Sequence, residues 1–360
     1  MSSNNRLHYL DGIRGWAATI VVFGHTMGGV IAIDAPNFVN HQWMSFFTNA
    51  HLAVLVFFVL SGYVLSVSQI YSSKRNTAVS TVARLFRLAL PILFVSLVAY
   101  IMMRLNLFFN VQAATNDISK SWLGTFFRFE PSLPGVFSFS FFDVFFAYDT
   151  PTSYNSSLWT MPIEMAGSIL IYSYIAIFRT EKFNWIISSI LIVYFYFYSP
   201  FMFCFMVGYV LAELKKINNL YLSGRNEIPL IFIFFAMIYL DTYHRPVDEI
   251  IQALEAVVFV VVISYSKTLS SLFSSRASRF MGRISFSLYL VQILVICSWS
   301  SYMKILLSNS GININIAASI NLISSMALCI LTARAMTPID EFSVKHSKTI
   351  AFKLLNLCSR

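Results

Sequence analysis

Apolar residues in this chain come in long runs, and the polar residues that separate the runs are few. A helix that crosses a bilayer needs about 20 mostly apolar residues. The pattern predicts about ten transmembrane helices, at 12–33, 50–71, 86–107, 157–178, 183–199, 200–214, 228–241, 250–266, 284–306 and 314–334. We therefore expect an all-α polytopic membrane protein.

The positions of the basic residues predict how this bundle is oriented. Cytoplasmic loops of membrane proteins are enriched in Lys and Arg. If the N-terminus is cytoplasmic, the external loops hold only Arg104, Lys120, Arg128, Arg245 and Lys304, and all other basic residues fall inside. Both termini are then cytoplasmic. We expect a transmembrane domain over residues 1–340 and a cytoplasmic tail over 341–360.

Composition supports the bilayer as the main partner of this chain. Hydrophobic residues make up 57% of it and charged residues 11%, against about 25% charged in a soluble domain. The formal charge of +9 comes from residues at the ends of apolar runs, so we expect no nucleic-acid partner. The four cysteines lack metal-ligand spacing, and we expect no metal cofactor.

The first predicted helix carries two ionisable residues, Arg14 and His25. Ionisable groups inside a bilayer cost roughly 3 kcal/mol and usually mark function. Eleven residues are about three helical turns, so both side chains face one side, about 16 Å apart. This arrangement suits a passage entered from the cytoplasm with a reactive group at its inner end. The alternative for His25 is a hydrogen bond between helices.

Two further helices carry polar groups that have two interpretations. Glu164 is predicted at the same membrane depth as His25 and is a candidate to orient the imidazole and stabilise its protonated form. Ser61, next to Gly62, is either a nucleophile or part of a small-residue surface for close helix packing.

Arg84 and Arg87 flank the start of the third predicted helix and share one helical face. Arginines here either anchor the cytoplasmic end of the helix or clamp a phosphate, for which guanidinium is well suited. Lys74 and Arg75 are further candidates for the same phosphate site.

The residues between the third and fourth helices form a predicted external segment, 108–156, which is rich in aromatic side chains. Aromatic rings favour the headgroup level of a bilayer, which predicts an interfacial or re-entrant hairpin. The alternative is a platform on which an external sugar stacks.

Five short motifs, taken in order, resemble the acyltransferase-3 family of membrane acyltransferases. They are Leu10–Gly15 with the Arg14 to His25 spacing, Phe57–Gly62, the pair Arg84 and Arg87, Leu158–Trp159 with Glu164, and Ser285–Leu290. Two positions depart from the family pattern. Gln292 stands where a histidine is common, and Pro338 precedes Asp340 and Glu341 instead of following an acidic residue.

The resemblance implies an O-acyltransferase of a bacterial inner membrane that uses cytoplasmic acyl-CoA, usually acetyl-CoA. The acceptor is implied to be a hydroxyl of a surface or lipid-linked glycan, such as a lipopolysaccharide or another polysaccharide. Arg14 and His25 are implied to be the catalytic pair, and Arg84 and Arg87 to bind the donor. A second transfer step, where one is needed, requires a separate glycan-assembly or esterase-like protein.

Two questions stay open at the level of the sequence. Transfer is either direct or through an acyl-enzyme on His25 or Ser61. The alternative function is a transporter or flippase for an acylated glycan or small solute, since it too has many helices with central ionisable groups. Paired broken helices and internal repeats are common in transporters, and neither is evident in the sequence.

Overall fold

A computed structural model describes residues 7–69, 74–178, 184–217, 221–245 and 247–358. Within these ranges the side chains at 74–76, 216–217 and 358 are not described.

Within the described residues, ten long helices overlap the ten predicted segments. They are α1 His8–Gly29, α2 Ala50–Gln69, α3 Lys74–Arg104, α4 Met161–Phe178, α5 Asn184–Tyr198, α6 Pro200–Ile217, α7 Ile228–His244, α8 Glu249–Tyr265, α9 Arg276–Val295 and α10 Ile314–Cys358. The helix α9 continues through a π-helical turn, Ile296–Ser300, into Ser301–Ser308. The described residues contain no β-sheet. The expected all-α polytopic membrane fold is confirmed.

Among the described residues, seven stretches are long and apolar enough to cross a membrane, and they contain α1 to α4, α7, α9 and α10. The other three helices are shorter or more charged: α5 and α8 have 15 and 17 residues. Ser199 separates α5 from α6, as the Ser-Pro turn signal predicts.

Two helices extend well beyond the apolar runs that predict them. The helix α3 begins at Lys74, before the predicted start at 86, and α10 continues past Pro338 to Cys358. Apolar runs mark only the part of a helix that lies in hydrocarbon, and a helix can continue into the aqueous phase with polar residues. The predicted domain boundary at residue 340 lies inside α10.

The described residues form two compact units. The first comprises the described parts of 1–19, 51–81 and 163–285, and the second those of 20–50, 82–162 and 286–360.

Glycines allow close helix packing within the first unit. A methyl group on Gly62 of α2 would overlap the backbone oxygen of Phe205 on α6, and one on Gly208 of α6 would overlap the backbone oxygen of Val59 on α2. Membrane helices gain their association energy from such close backbone approach, because lipid offers no hydrophobic drive. The small-residue surface predicted at Ser61–Gly62 is therefore present at Gly62.

The external segment folds within the second unit. Its short helices include Asn110–Ala113, Asp117–Ser121 and Leu133–Ser138. The backbone N–H of Phe109 donates to the carbonyl of Cys297 at 2.8 Å, inside the π-helical turn after α9. A π-helical turn rearranges the regular backbone ladder, and here one of its carbonyls accepts a hydrogen bond from the external segment.

A proline in α3 is compensated by a side chain from α10. Pro91 has no N–H, so the carbonyl of Arg87, four residues earlier, loses its helical donor. The hydroxyl of Ser343 donates to that carbonyl at 2.8 Å. Serine side chains commonly satisfy backbone groups that proline frees in membrane helices. This bond ties the C-terminal part of α10 to the turn that carries Arg84 and Arg87.

Gly62→Ala tests the packing of α2 on α6. The added methyl group has no space, and overpacking typically costs about 1–3 kcal/mol, so we expect a clear drop in the melting temperature of the detergent-solubilised protein. The matched control is Gly28→Ala, whose methyl group would meet no atom within 4 Å. Equal melting temperatures for the two variants would contradict the close packing.

Candidate active site

The last turns of α1 border a cavity of about 330 Å³ in the second unit. Its lining includes His25, Gly28 and Gly29 from α1 and Ser119 and Trp122 from the external segment. Glycine keeps the helix surface thin here, and a methyl group on Gly29 would overlap the ring of Trp122. We call this space the His25 cavity.

His25 has one hydrogen-bond partner and one ring contact in this unit. Its Nδ1 lies 3.2 Å from Oε1 of Gln292 on α9. Its ring centre lies 5.4 Å from that of Trp122, with the planes tilted by 44°. Since an amide oxygen can only accept, Nδ1 carries the proton and Nε2 presents its lone pair.

Gln292 is oriented by a polar network that joins two of the sequence motifs. The amide nitrogen of Gln292 approaches the hydroxyl of Ser157 at 3.4 Å. Tyr289, one turn earlier on α9, donates to the backbone oxygen of Ser157 and lies 2.7 Å from the hydroxyl of Thr160. The side chain of Asn155 donates to the carbonyl of Leu290 at 2.6 Å.

This network explains why the two motifs occur together. Asn155 also accepts a hydrogen bond from the N–H of Ser157, which starts the 3-10 turn Ser156–Thr160 ahead of α4. The turn places hydroxyl and backbone groups against α9, at the level of Tyr289 and Gln292. Asn155, Ser157, Thr160, Tyr289 and Gln292 are all buried, and hydrogen bonds between buried polar groups favour one arrangement of a core.

The chemistry available in the His25 cavity is that of a positioned base. A neutral imidazole with its Nδ1–H bound to an acceptor has a fixed tautomer and a basic Nε2 atom. A hydroxyl within hydrogen-bond reach of that nitrogen can lose its proton as its oxygen attacks an electrophile.

The first unit brings together two other predicted site residues, Ser61 and Glu164. The hydroxyl of Ser61 donates to Oε1 of Glu164 at 2.9 Å. Glu164 is buried and Ser61 is half-buried. The predicted pairing of Glu164 with His25 stays a prediction, and in the structure Nδ1 of His25 donates its hydrogen bond to Oε1 of Gln292.

The remaining predicted residues lie on α1 and α3. Arg14 is half-buried on the first half of α1. Arg84 is buried, with 8% of its surface exposed, and Arg87 is half-buried, one helical turn later on α3. The side chains of Lys74 and Arg75 lie outside the described residues. Their roles in binding and catalysis stay predictions.

Gln292 and Trp122 are neighbours of His25 that sequence reasoning did not assign. Gln292 was visible as a departure from the family pattern, at a position where a histidine is common. Trp122 was visible only as one of many aromatic residues in the external segment. The part of the chain that the structure describes contains no group of three His, Cys, Asp or Glu residues able to hold a metal ion.

Comparison with known proteins gives one match. The acyltransferase-3 family model, described as an acyltransferase domain, matches residues 7–334, which is nearly the whole chain. No curated protein and no solved structure matches this chain.

Gln292→Leu tests the tautomer of His25. Without the amide oxygen, Nδ1–H loses its acceptor, so we expect the imidazole to shift toward the Nε2–H form that free histidine prefers. Nitrogen NMR of the ¹⁵N-histidine-labelled protein measures this, with the His25 signal identified from its loss in His25→Asn. Ser157→Ala, which removes only the longer contact of Gln292, should change the spectrum little. An unchanged His25 signal in Gln292→Leu would remove Gln292 as the orienting group.

Proposed function

The chain belongs to the acyltransferase-3 family, and we propose that it is an O-acyltransferase that moves an acetyl group from cytoplasmic acetyl-CoA to a hydroxyl of a surface or lipid-linked glycan. The observation that carries this proposal is the His25 imidazole, held at Nδ1 by Gln292 on the wall of a cavity. A base with a fixed tautomer beside an open space is what proton removal from a sugar hydroxyl requires.

The proposed reaction is an acyl transfer with His25 as general base. The acceptor hydroxyl gives its proton to Nε2 of His25 while its oxygen attacks the thioester carbonyl. The C–S bond then breaks, and the CoA thiolate leaves with the proton that the imidazolium returns. Gln292 accepts the Nδ1–H bond throughout, so the ring keeps one orientation. Arg14 is proposed to polarise the thioester carbonyl.

Ser61 and Glu164 allow a second route. A serine hydroxyl that donates to a buried carboxylate, as Ser61 does at 2.9 Å, is a nucleophile with a proton acceptor in place. In this second route the acetyl group is first transferred to Ser61, which forms an acyl-enzyme. A third route forms the acyl-enzyme on His25. In the direct route Glu164 acts instead by stabilising the imidazolium. Mass spectrometry of protein denatured at neutral pH separates the routes, because only the covalent ones leave an added acetyl group and an acetyl-imidazole would hydrolyse in acid.

The donor is proposed to bind through its phosphates at Arg84 and Arg87, with Lys74 and Arg75 as further ligands. A guanidinium group can bind a phosphate through two parallel N–H···O hydrogen bonds. The bond from Ser343 to the carbonyl of Arg87 fixes the turn of α3 from which both arginines project. With this donor site and a glycan acceptor on the opposite side, the proposed location of the enzyme is the cytoplasmic membrane of a bacterium. A separate glycan-assembly or esterase-like protein is a further proposed partner.

His25→Ala tests the proposed base. Loss of general-base catalysis typically costs about 10²–10⁴-fold in rate, so we expect acetyl transfer from labelled acetyl-CoA to fall by that factor in membranes with normal amounts of the protein. The matched control is His41→Ala, because His41 is an exposed histidine outside the His25 cavity.

Full activity in His25→Ala would exclude His25 as the base. Wild-type membranes that move an acylated glycan but release no CoA from acetyl-CoA would favour the transporter and contradict the enzyme.

Arg84→Ala tests the donor site. One charge-assisted hydrogen bond contributes about 1.5–3 kcal/mol, so we expect the acetyl-CoA concentration for half-maximal rate to rise about 10- to 100-fold, with a smaller change in the maximal rate. Lys348→Ala, at an exposed position of α10, serves as the control. An unchanged acetyl-CoA requirement would assign Arg84 to anchoring alone.

A further inference from the structure

A second cavity, of about 490 Å³, lies in the second unit where α3 meets the external segment. Ligand sites typically measure about 300–1,000 Å³. Its polar lining comes from Arg104, Asn106, Asn110, Gln112, Arg128 and Glu130. We call this space the arginine cavity.

The two guanidinium groups of this cavity are available to a ligand. Arg104 ends α3 and Arg128 lies in the loop after the short turn Leu123–Thr125, and both are exposed. Among the ion pairs of the described residues, neither arginine takes part. With Glu130 as the one carboxylate in the lining, the charge of the cavity is positive, which favours an anion. A guanidinium fork matches a carboxylate or phosphate group in shape as well as charge.

Flat apolar surface lies beside these charges. The rings of Phe108 and Phe127 stack in parallel, 4.0 Å apart and tilted by only 2°, and both border the cavity. An aromatic ring offers a flat face to the C–H groups of a sugar, and the amides of Asn106 and Gln112 offer donors and acceptors to its hydroxyls. A site with one apolar face and a few polar groups is typical of small-ligand binding.

The backbone of this cavity is in an unusual conformation at two positions. Asn106 and Phe127 have φ angles of 54° and 56°, and they are the only non-glycine residues with positive φ in the described part of the chain. Both border this one cavity. For a bulky residue such as phenylalanine, positive φ is a genuine outlier. Strain of this kind persists where the surrounding structure requires it and concentrates at functional sites.

One short stretch of chain contributes to both cavities. Trp122 borders the His25 cavity, and Phe127 borders the arginine cavity. Asn110, also in the arginine cavity, donates from its amide to the carbonyls of Leu123 and Phe126, at 2.8 and 3.0 Å. These bonds hold the stretch between the two cavities rigid, so a ligand in one is positioned relative to the other.

We propose that the arginine cavity binds an acidic sugar unit, one that carries a carboxylate or a phosphate, in the glycan that receives the acyl group. This inference rests on the proposed function, since it names the class of glycan that the proposed acyltransferase would acylate. The headgroup of phosphatidylglycerol has the same charge, but it lacks the ring that would use the parallel phenylalanines and the two amides. The sugar is therefore the favoured ligand.

Binding of two matched probes tests the proposal. The protein is placed in nanodiscs of phosphatidylcholine, and p-nitrophenyl glucuronide and p-nitrophenyl glucoside are titrated while saturation-transfer NMR records the bound fraction. The probes differ by a carboxylate in place of a hydroxymethyl group. We expect the glucuronide to bind at least about tenfold more tightly, the factor that corresponds to about 1.4 kcal/mol.

Variants assign that preference to the cavity. Arg128→Ala should remove most of the preference for the glucuronide and leave glucoside binding unchanged. Arg128→Lys should recover only part of it, because an ammonium lacks the fork. The matched control is Lys120→Ala, because Lys120 is exposed in the same segment, outside the cavity, and 3.7 Å from Asp117. The melting temperature of each variant, measured in the same nanodiscs, excludes unfolding as the cause.

The outcomes separate this proposal from the proposed function. Equal binding of the two probes, or an unchanged preference in Arg128→Ala, overturns the acidic-sugar site even where acetyl transfer proceeds. Loss of the preference when phosphatidylglycerol replaces part of the phosphatidylcholine identifies a lipid headgroup site and overturns the glycan. A preference for the glucuronide that depends on Arg128 supports the acidic-sugar site. If the same protein transfers no acetyl group to either probe, that result counts against the proposed acetyl transfer.

Discussion

The hydrogen bond between His25 and Gln292 is the interaction on which the proposed chemistry depends. A bilayer offers no water to a stray polar group, so each polar side chain near the end of α1 has to be satisfied by protein. Gln292 meets that need for Nδ1 of His25, and it is held in turn by Ser157 and its neighbours. The same constraint that stabilises the bundle thereby sets which nitrogen of the imidazole is left to react. Stability and reactivity have one structural cause here.

The fold is largely predictable because its cause is local. Long apolar runs can only be helices in a bilayer, since only a helix pairs its own backbone groups within one segment. All ten predicted segments contain a helix. The parts that were not predicted, which include the first turns of α3 and α9 and the last turns of α10, lie outside the apolar runs. There the helix depends on packing and on bonds such as that from Ser343, which composition does not reveal.

The candidate site is less predictable because its cause is long-range. The spacing of Arg14 and His25 on one helix follows from periodicity, but the partner of His25 is 267 residues away. Nothing in the local sequence around Gln292 indicates that its side chain meets α1. The external segment presents the same difficulty. Its aromatic content was visible, but the parallel stacking of Phe108 and Phe127 depends on a loop conformation with positive φ, which propensity disfavours.

The compensation of Pro91 by Ser343 has a consequence for the end of the chain. A carbonyl that has lost its helical donor in α3 accepts instead from Ser343, which lies nine positions beyond the apolar run 314–334. Shortening the protein to residue 334, the end of the apolar run in α10, would remove that donor and leave the carbonyl of Arg87 without it. The C-terminal portion of α10 thus braces α3 at the turn that carries Arg84 and Arg87, and this role is separate from crossing the lipid.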